Sequence, residues 1–86
     1  MSVMTEKRRN EIAYIIDAAT MFSITPHMSH QIIKASAELG RTQMYAEHVA
    51  FSVAAQLEHH PVAEYEKPTA EELKEYIYAV AAHVRV

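Results

Sequence analysis

The sequence predicts an all-α protein, a compact bundle of three or four helices, and three observations carry that expectation. Apolar residues recur at spacings of three and four along most of the chain. One glycine and three prolines leave few places for tight β-turns. Residues that favour helices, Ala, Glu, Met and Leu among them, fill the rest. The expected helices cover about 5–22, 26–39, 42–60 and 70–84.

The first helix carries Ile12, Ile15, Ile16, Ala19 and Phe22 as one stripe, with Arg8, Arg9, Glu11 and Asp17 mostly off it. Thr5 and Glu6 make a reasonable start. Lys7, Arg8 and Arg9 sit where the helix dipole disfavours cations, so either the first turns fray or the basic cluster has a partner. Ser23-Ile24-Thr25-Pro26 reads as a break and a new start, because Thr25 can cap and proline suits the first helical position.

Met28, Ile32, Ala35 and Leu39 form the stripe of the second helix, with Ile33 and Ala37 beside it. Gly40 is the expected stop and Thr42 the expected cap of the third helix. One bent helix running through Gly40 is the alternative, since an interior glycine costs only about 1 kcal/mol against alanine. Pro61 ends the third helix, and 62–68 form a connector. Thr69 with Glu72 then matches a capping box, and Leu73, Ile77, Val80 and Val84 follow as a stripe, with Arg85 at the helix end.

The third helix is the unusual one. Tyr45, Ala46, Val49, Ala50, Val53, Ala54 and Leu57 share a broad face, while Met44, Phe51 and Ala55 fall on the other side between His48 and His59. A helix packed on one side needs one stripe, so the second predicts either a central place in the fold or a contact with another molecule. In an antiparallel homodimer centred near Val53–Ala54, Phe51 would approach Ala55 of its mate and His48 would approach His59. Large-against-small matching favours close packing, and twofold dimers are the commonest oligomers. Such a histidine-bearing seam is expected to weaken as pH falls through about 6.5, where imidazole gains charge. The rival expectation is that the first or last helix covers this face. Tyr78, off the stripe of the last helix, is a further contact candidate, whereas Tyr76 lies beside the stripe.

Composition narrows the function classes. The 86 residues allow one domain, 1–86. Half are hydrophobic and 22% charged, which excludes a disordered chain. A net charge of −3 argues against general polyanion binding. The lack of cysteine removes disulfides, thiolate metal sites and cysteine nucleophiles. No signal-peptide core and no run of ~20 apolar residues occurs, so a cytoplasmic protein with no membrane span is expected. A single glycine cannot build a phosphate loop, and no Gly-x-Ser-x-Gly elbow is present. The expectation is therefore no enzyme and no cofactor.

Segment 35–45, with Leu39-Gly40, Arg41 and Thr42, resembles the middle of a helix-turn-helix, whose second helix enters the DNA major groove. The resemblance covers about twenty residues. It implies that Arg41, Gln43 and Met44 face bases or phosphates, with Lys7, Arg8 and Arg9 as an arm. Arg41 stands where an apolar turn residue usually packs, and Ala46 where a branched aliphatic does.

His27 and His30 are spaced to share an ion, and His48, His59, His60, Glu47, Glu64 and Glu66 add donors, but nothing in the pattern makes three converge and no metal site is expected. Leu57 to Pro61 is similar to the His-His-Pro of pterin carbinolamine dehydratases. That family needs a third histidine on a following strand, and here an acidic connector and a capped helix follow. No role is carried over. The resulting expectation is a small protein-binding regulator or adaptor of bacterial or phage type, self-associating through Met44, His48, Phe51, Ala55, His59 and Tyr78. A helix-turn-helix DNA-binding regulator is the alternative.

Overall fold

A computed structural model describes residues 4–21, 27–59 and 64–84. It has four helices: α1 (Glu6–Met21), α2 (His27–Glu38), α3 (Gln43–Glu58) and α4 (Ala70–Val84), with no strand among the described residues. The expected caps at Thr25-Pro26, the stop at Pro61, and Phe22, His60 and Arg85 lie outside that set.

Local chemistry sets the helix ends. The Thr5 hydroxyl accepts the Arg8 N–H at 3.1 Å, which caps α1. At α4 the capping box closes both ways: Thr69 Oγ1 accepts the Glu72 N–H at 3.1 Å and Glu72 Oε1 accepts the Thr69 N–H at 3.4 Å. The break after α2 is also as expected. Residues 39–41 turn, with the Arg41 and Thr42 amides donating to the Glu38 carbonyl at 2.7 and 3.2 Å, so no helix continues through Gly40. Thr42 differs from expectation. It occupies the N-cap position with extended backbone, but its side chain makes no capping bond.

One core joins all four helices. Ile12, Ile15, Ile16 and Ala19 of α1 meet Met28, Ile32 and Ala35 of α2, Ala46, Val49, Ala50, Val53 and Leu57 of α3, and Leu73 and Ile77 of α4. Leu39, Tyr45, Ala54 and Tyr76 are partly buried against this core. The radius of gyration is 11.9 Å, against about 12 Å for a folded chain of this length.

Two details correct the sequence reading of α2. Ile33, placed beside the stripe, is 65% exposed. Ser36 is buried in its stead, its hydroxyl donating to the Ile32 carbonyl one turn back at 2.8 Å. A serine is small enough to enter a tight interhelical contact, and that backbone bond satisfies its polar group. α2 touches all three other helices, while α3 packs most heavily on α4 and α2 and supplies five of the core residues. The apolar stripe of α4, with Leu73 and Ile77, packs into this core, and α4 lies along α3.

Candidate interaction surface

Because α3 packs on two neighbours along one side, its other side is left open. Met44 is 77% and Phe51 69% exposed, and His48, Ala55 and His59 are exposed with them. Neither α1 nor α4 covers this face, so the expectation of an intramolecular cover is overturned. Phe51 is no core residue.

At 100° per residue these side chains form one strip along α3, with Met44, Phe51 and Ala55 along its middle. Glu47 and Glu58, eleven residues apart, lie within about 20° of each other on one flank. His48 and His59, also eleven apart, lie on the other flank. The glutamate flank adjoins α4: Glu47, Phe51, Ala70, Glu71 and Lys74 line a shallow depression there. Lys74 Nζ stands 3.0 Å from Glu71 and 3.9 Å from Glu47. The Glu71 hydrogen bond, with the charges of Glu71 and Glu47 behind it, raises the Lys74 ammonium pKa. At the far end of the same helix Lys67 Nζ donates to the Glu58 carbonyl at 2.9 Å. Lys74 thus stands beside two glutamate carboxylates, whereas Lys67 meets the backbone end of α3.

Tyr78 is only partly exposed, so it is a weaker contact candidate than its off-stripe position suggests. It stands one turn after Lys74 and close enough to act on its charge, which places it at the margin of the same surface. Glu47, Glu71 and Lys74 were missed as surface partners from sequence. Their juxtaposition depends on how α4 docks, which no local pattern encodes.

The residues expected to meet DNA divide. Arg41, Gln43 and Met44 are exposed at the turn and the first turn of α3, with the Arg41 side chain 81% exposed and 3.5 Å from Glu38. Lys7 is exposed, whereas Arg9 is partly buried and close enough to Tyr76 for its charge to act on the phenol. Arg8 is engaged inside the molecule. Its guanidinium donates to both Glu72 oxygens at 2.8 and 2.9 Å, to Glu11 at 3.1 Å and to the Glu66 carbonyl at 3.0 Å. Arg8 of the basic cluster thus has its partner within the fold and is not a spare cation for a phosphate.

A second apolar depression lies between α1, α2 and α4, where Ala13, Ile16, Ile33, Tyr76 and Val80 meet beside Asp17. Burial, reinforced by Asp17, pushes the Tyr76 phenol up. Among the described residues no group of three His, Asp or Glu side chains is placed to hold one metal ion, and the His27 side chain and His60 lie outside that set. No helix among the described residues is long and apolar enough to cross a membrane. Compared with family models, curated proteins and solved structures, the chain matches none.

Proposed function

We propose that this chain is a small cytoplasmic, non-enzymatic regulator or adaptor that binds protein through the outer face of α3 and self-associates there. The observation that carries the reading is the exposure of Phe51 and Met44 on a helix whose opposite face already fills the core. An exposed aromatic ring with a methionine two turns away on the same face offers apolar area at small entropic cost, the composition that interface centres favour. The strip is bordered by charged and imidazole groups, which supply a polar rim.

Phe51→Asp tests the reading. The wild type is expected to show twice the chain mass by light scattering, and the variant the single mass with unchanged helical content. A wild type of single mass up to about 1 mM, a concentration at which even millimolar affinity shows, removes the self-association. A doubled mass that Phe51→Asp leaves intact removes the α3 face.

The exposure of Arg41, Gln43 and Met44 together favours one second reading, a helix-turn-helix DNA-binding regulator. Phosphate contacts release counterions, so duplex binding would fall steeply with salt and drop again in Arg41→Ala. A salt-insensitive mobility of duplex DNA ends that reading.

A further inference from the structure

We infer that α1 is a separable helix, which undocks as a unit from a body formed by α2, α3 and α4 and is held down by a clasp at Arg8. This conformational step is independent of what the outer face of α3 binds.

The backbones of α2, α3 and α4 each run close to the other two, whereas that of α1 runs close chiefly to α2. α1 enters the core through one stripe, Ile12, Ile15, Ile16 and Ala19, while Glu6, Lys7, Asn10, Tyr14 and Asp17 stay exposed. Without that stripe, each of the three remaining helices still supplies core residues, from Met28 to Ile77. A body of about 60 residues is small but within the range in which domains fold alone.

The two flanks of α1 differ. At 100° per residue, Arg8 and Tyr14 lean to one side of the stripe, and Ala13 and Asp17 to the other. On the first side, contacts reach the segment that leads into α4. Arg8 donates to both Glu72 oxygens and to the Glu66 carbonyl, and the Tyr14 ring meets Tyr65 edge-on with centroids 5.5 Å apart. On the second side the seam is incompletely filled, and the depression beside Ala13 and Asp17 opens there between Ile33, Tyr76 and Val80. A helix clasped along one flank and loosely sealed along the other opens more readily than the closed triangle of helices beneath it, because it gives up fewer packed contacts.

Native-state hydrogen exchange of the full chain tests the inference. The amides of Ile15, Ile16 and Ala19 lie clear of the first turn, where fraying would confuse the reading. They are expected to share one opening with a urea dependence, populated about tenfold or more above the opening that frees Val53, Leu57 and Ile77. Two substitutions then separate α1 from the body. Arg8→Ala removes contacts made only while α1 is docked, so both sets of amides are expected to exchange about fivefold faster. Thr69→Ala removes a cap inside the body, which is lost whether or not α1 is docked. It is expected to speed the Val53, Leu57 and Ile77 set about fivefold and leave the α1 set at its wild-type rate.

α1 amides that open together with the slowest amides of the body, or that Thr69→Ala speeds as much, overturn the separable helix. An α1 set that opens by itself but does not respond to Arg8→Ala overturns the clasp.

Discussion

Arg8, in the first turn of α1, donates Nε–H and Nη2–H to the two carboxylate oxygens of Glu72, 64 residues further on, at 2.8 and 2.9 Å. The same carboxylate accepts the Thr69 amide, so one side chain both completes the cap of α4 and ties α4 to α1. Arg8 also reaches the Glu66 carbonyl, which fixes the end of the connector. The planar fork of arginine suits this two-point contact in a way a lysine ammonium does not.

Substitutions at Glu72 separate its two roles. Glu72→Gln keeps an oxygen for the capping box but removes the charge, and is expected to cost about 0.5–1 kcal/mol for a partly exposed pair. Glu72→Ala removes both and should cost about 1–2 kcal/mol. Urea midpoints at constant slope give the comparison. Equal losses in the two variants would mean that the cap contributes nothing.

The acid side of the stability curve follows from the same pair. The Arg8 hydrogen bonds, with its charge added, outweigh partial burial and hold the Glu72 carboxyl below its ordinary value of 4.5. A depressed carboxylate contributes stability that is fully present above the unfolded value. That stability is lost as pH falls from about the ordinary value through the depressed one. Glu72→Gln should therefore flatten the stability loss below about pH 4.5 while leaving a constant deficit at neutral pH. An acid limb equally steep in wild type and Glu72→Gln would place the acid-labile groups elsewhere.

The sequence makes the capping box of α4 legible because its partners are three residues apart and local geometry decides the contact. The Arg8–Glu72 pair has no such signature, since only the docked bundle brings the two ends together. The open face of α3 was legible as a second apolar stripe, but periodicity alone does not say whether a neighbour covers it. The packing of α4 and α2 on one side of α3 decides that, and it decides the place of Lys74 as well. In α2 the stripe of Met28, Ile32 and Ala35 was legible. The exchange of Ser36 for Ile33 was not, because a hydropathy pattern ranks serine as polar and gives no credit for its bond to the Ile32 carbonyl.

Three threonines in cap positions allow a direct contrast. Thr5 and Thr69 each accept a backbone N–H, whereas the Thr42 hydroxyl makes no capping bond. Thr69→Ala should cost about 1 kcal/mol, the usual loss when a capping oxygen is removed. Thr42→Ala should stay within about 0.5 kcal/mol, as surface substitutions do. Denaturation midpoints decide, and a Thr42→Ala loss as large as that of Thr69→Ala would mean that Thr42 caps α3 in solution.

Neighbouring isoleucines in α2 test its orientation. Ile32 is buried in the core and Ile33 faces water. Ile32→Ala removes packed methylene groups and leaves a cavity, at an expected cost of about 2–4 kcal/mol. Ile33→Ala leaves no cavity and should lie within about 0.5 kcal/mol of the wild type. Ser36→Leu forces extra volume into the contact that a serine fills and should cost about 1–3 kcal/mol. A large loss at Ile33 with little at Ile32 would require α2 to be turned by roughly one residue, 100°, about its axis. That rotation would set Ser36 in the buried place that Ala35 now holds, so Ser36→Leu stays costly in either orientation, and the Ile32 and Ile33 midpoints together fix which face of α2 is packed.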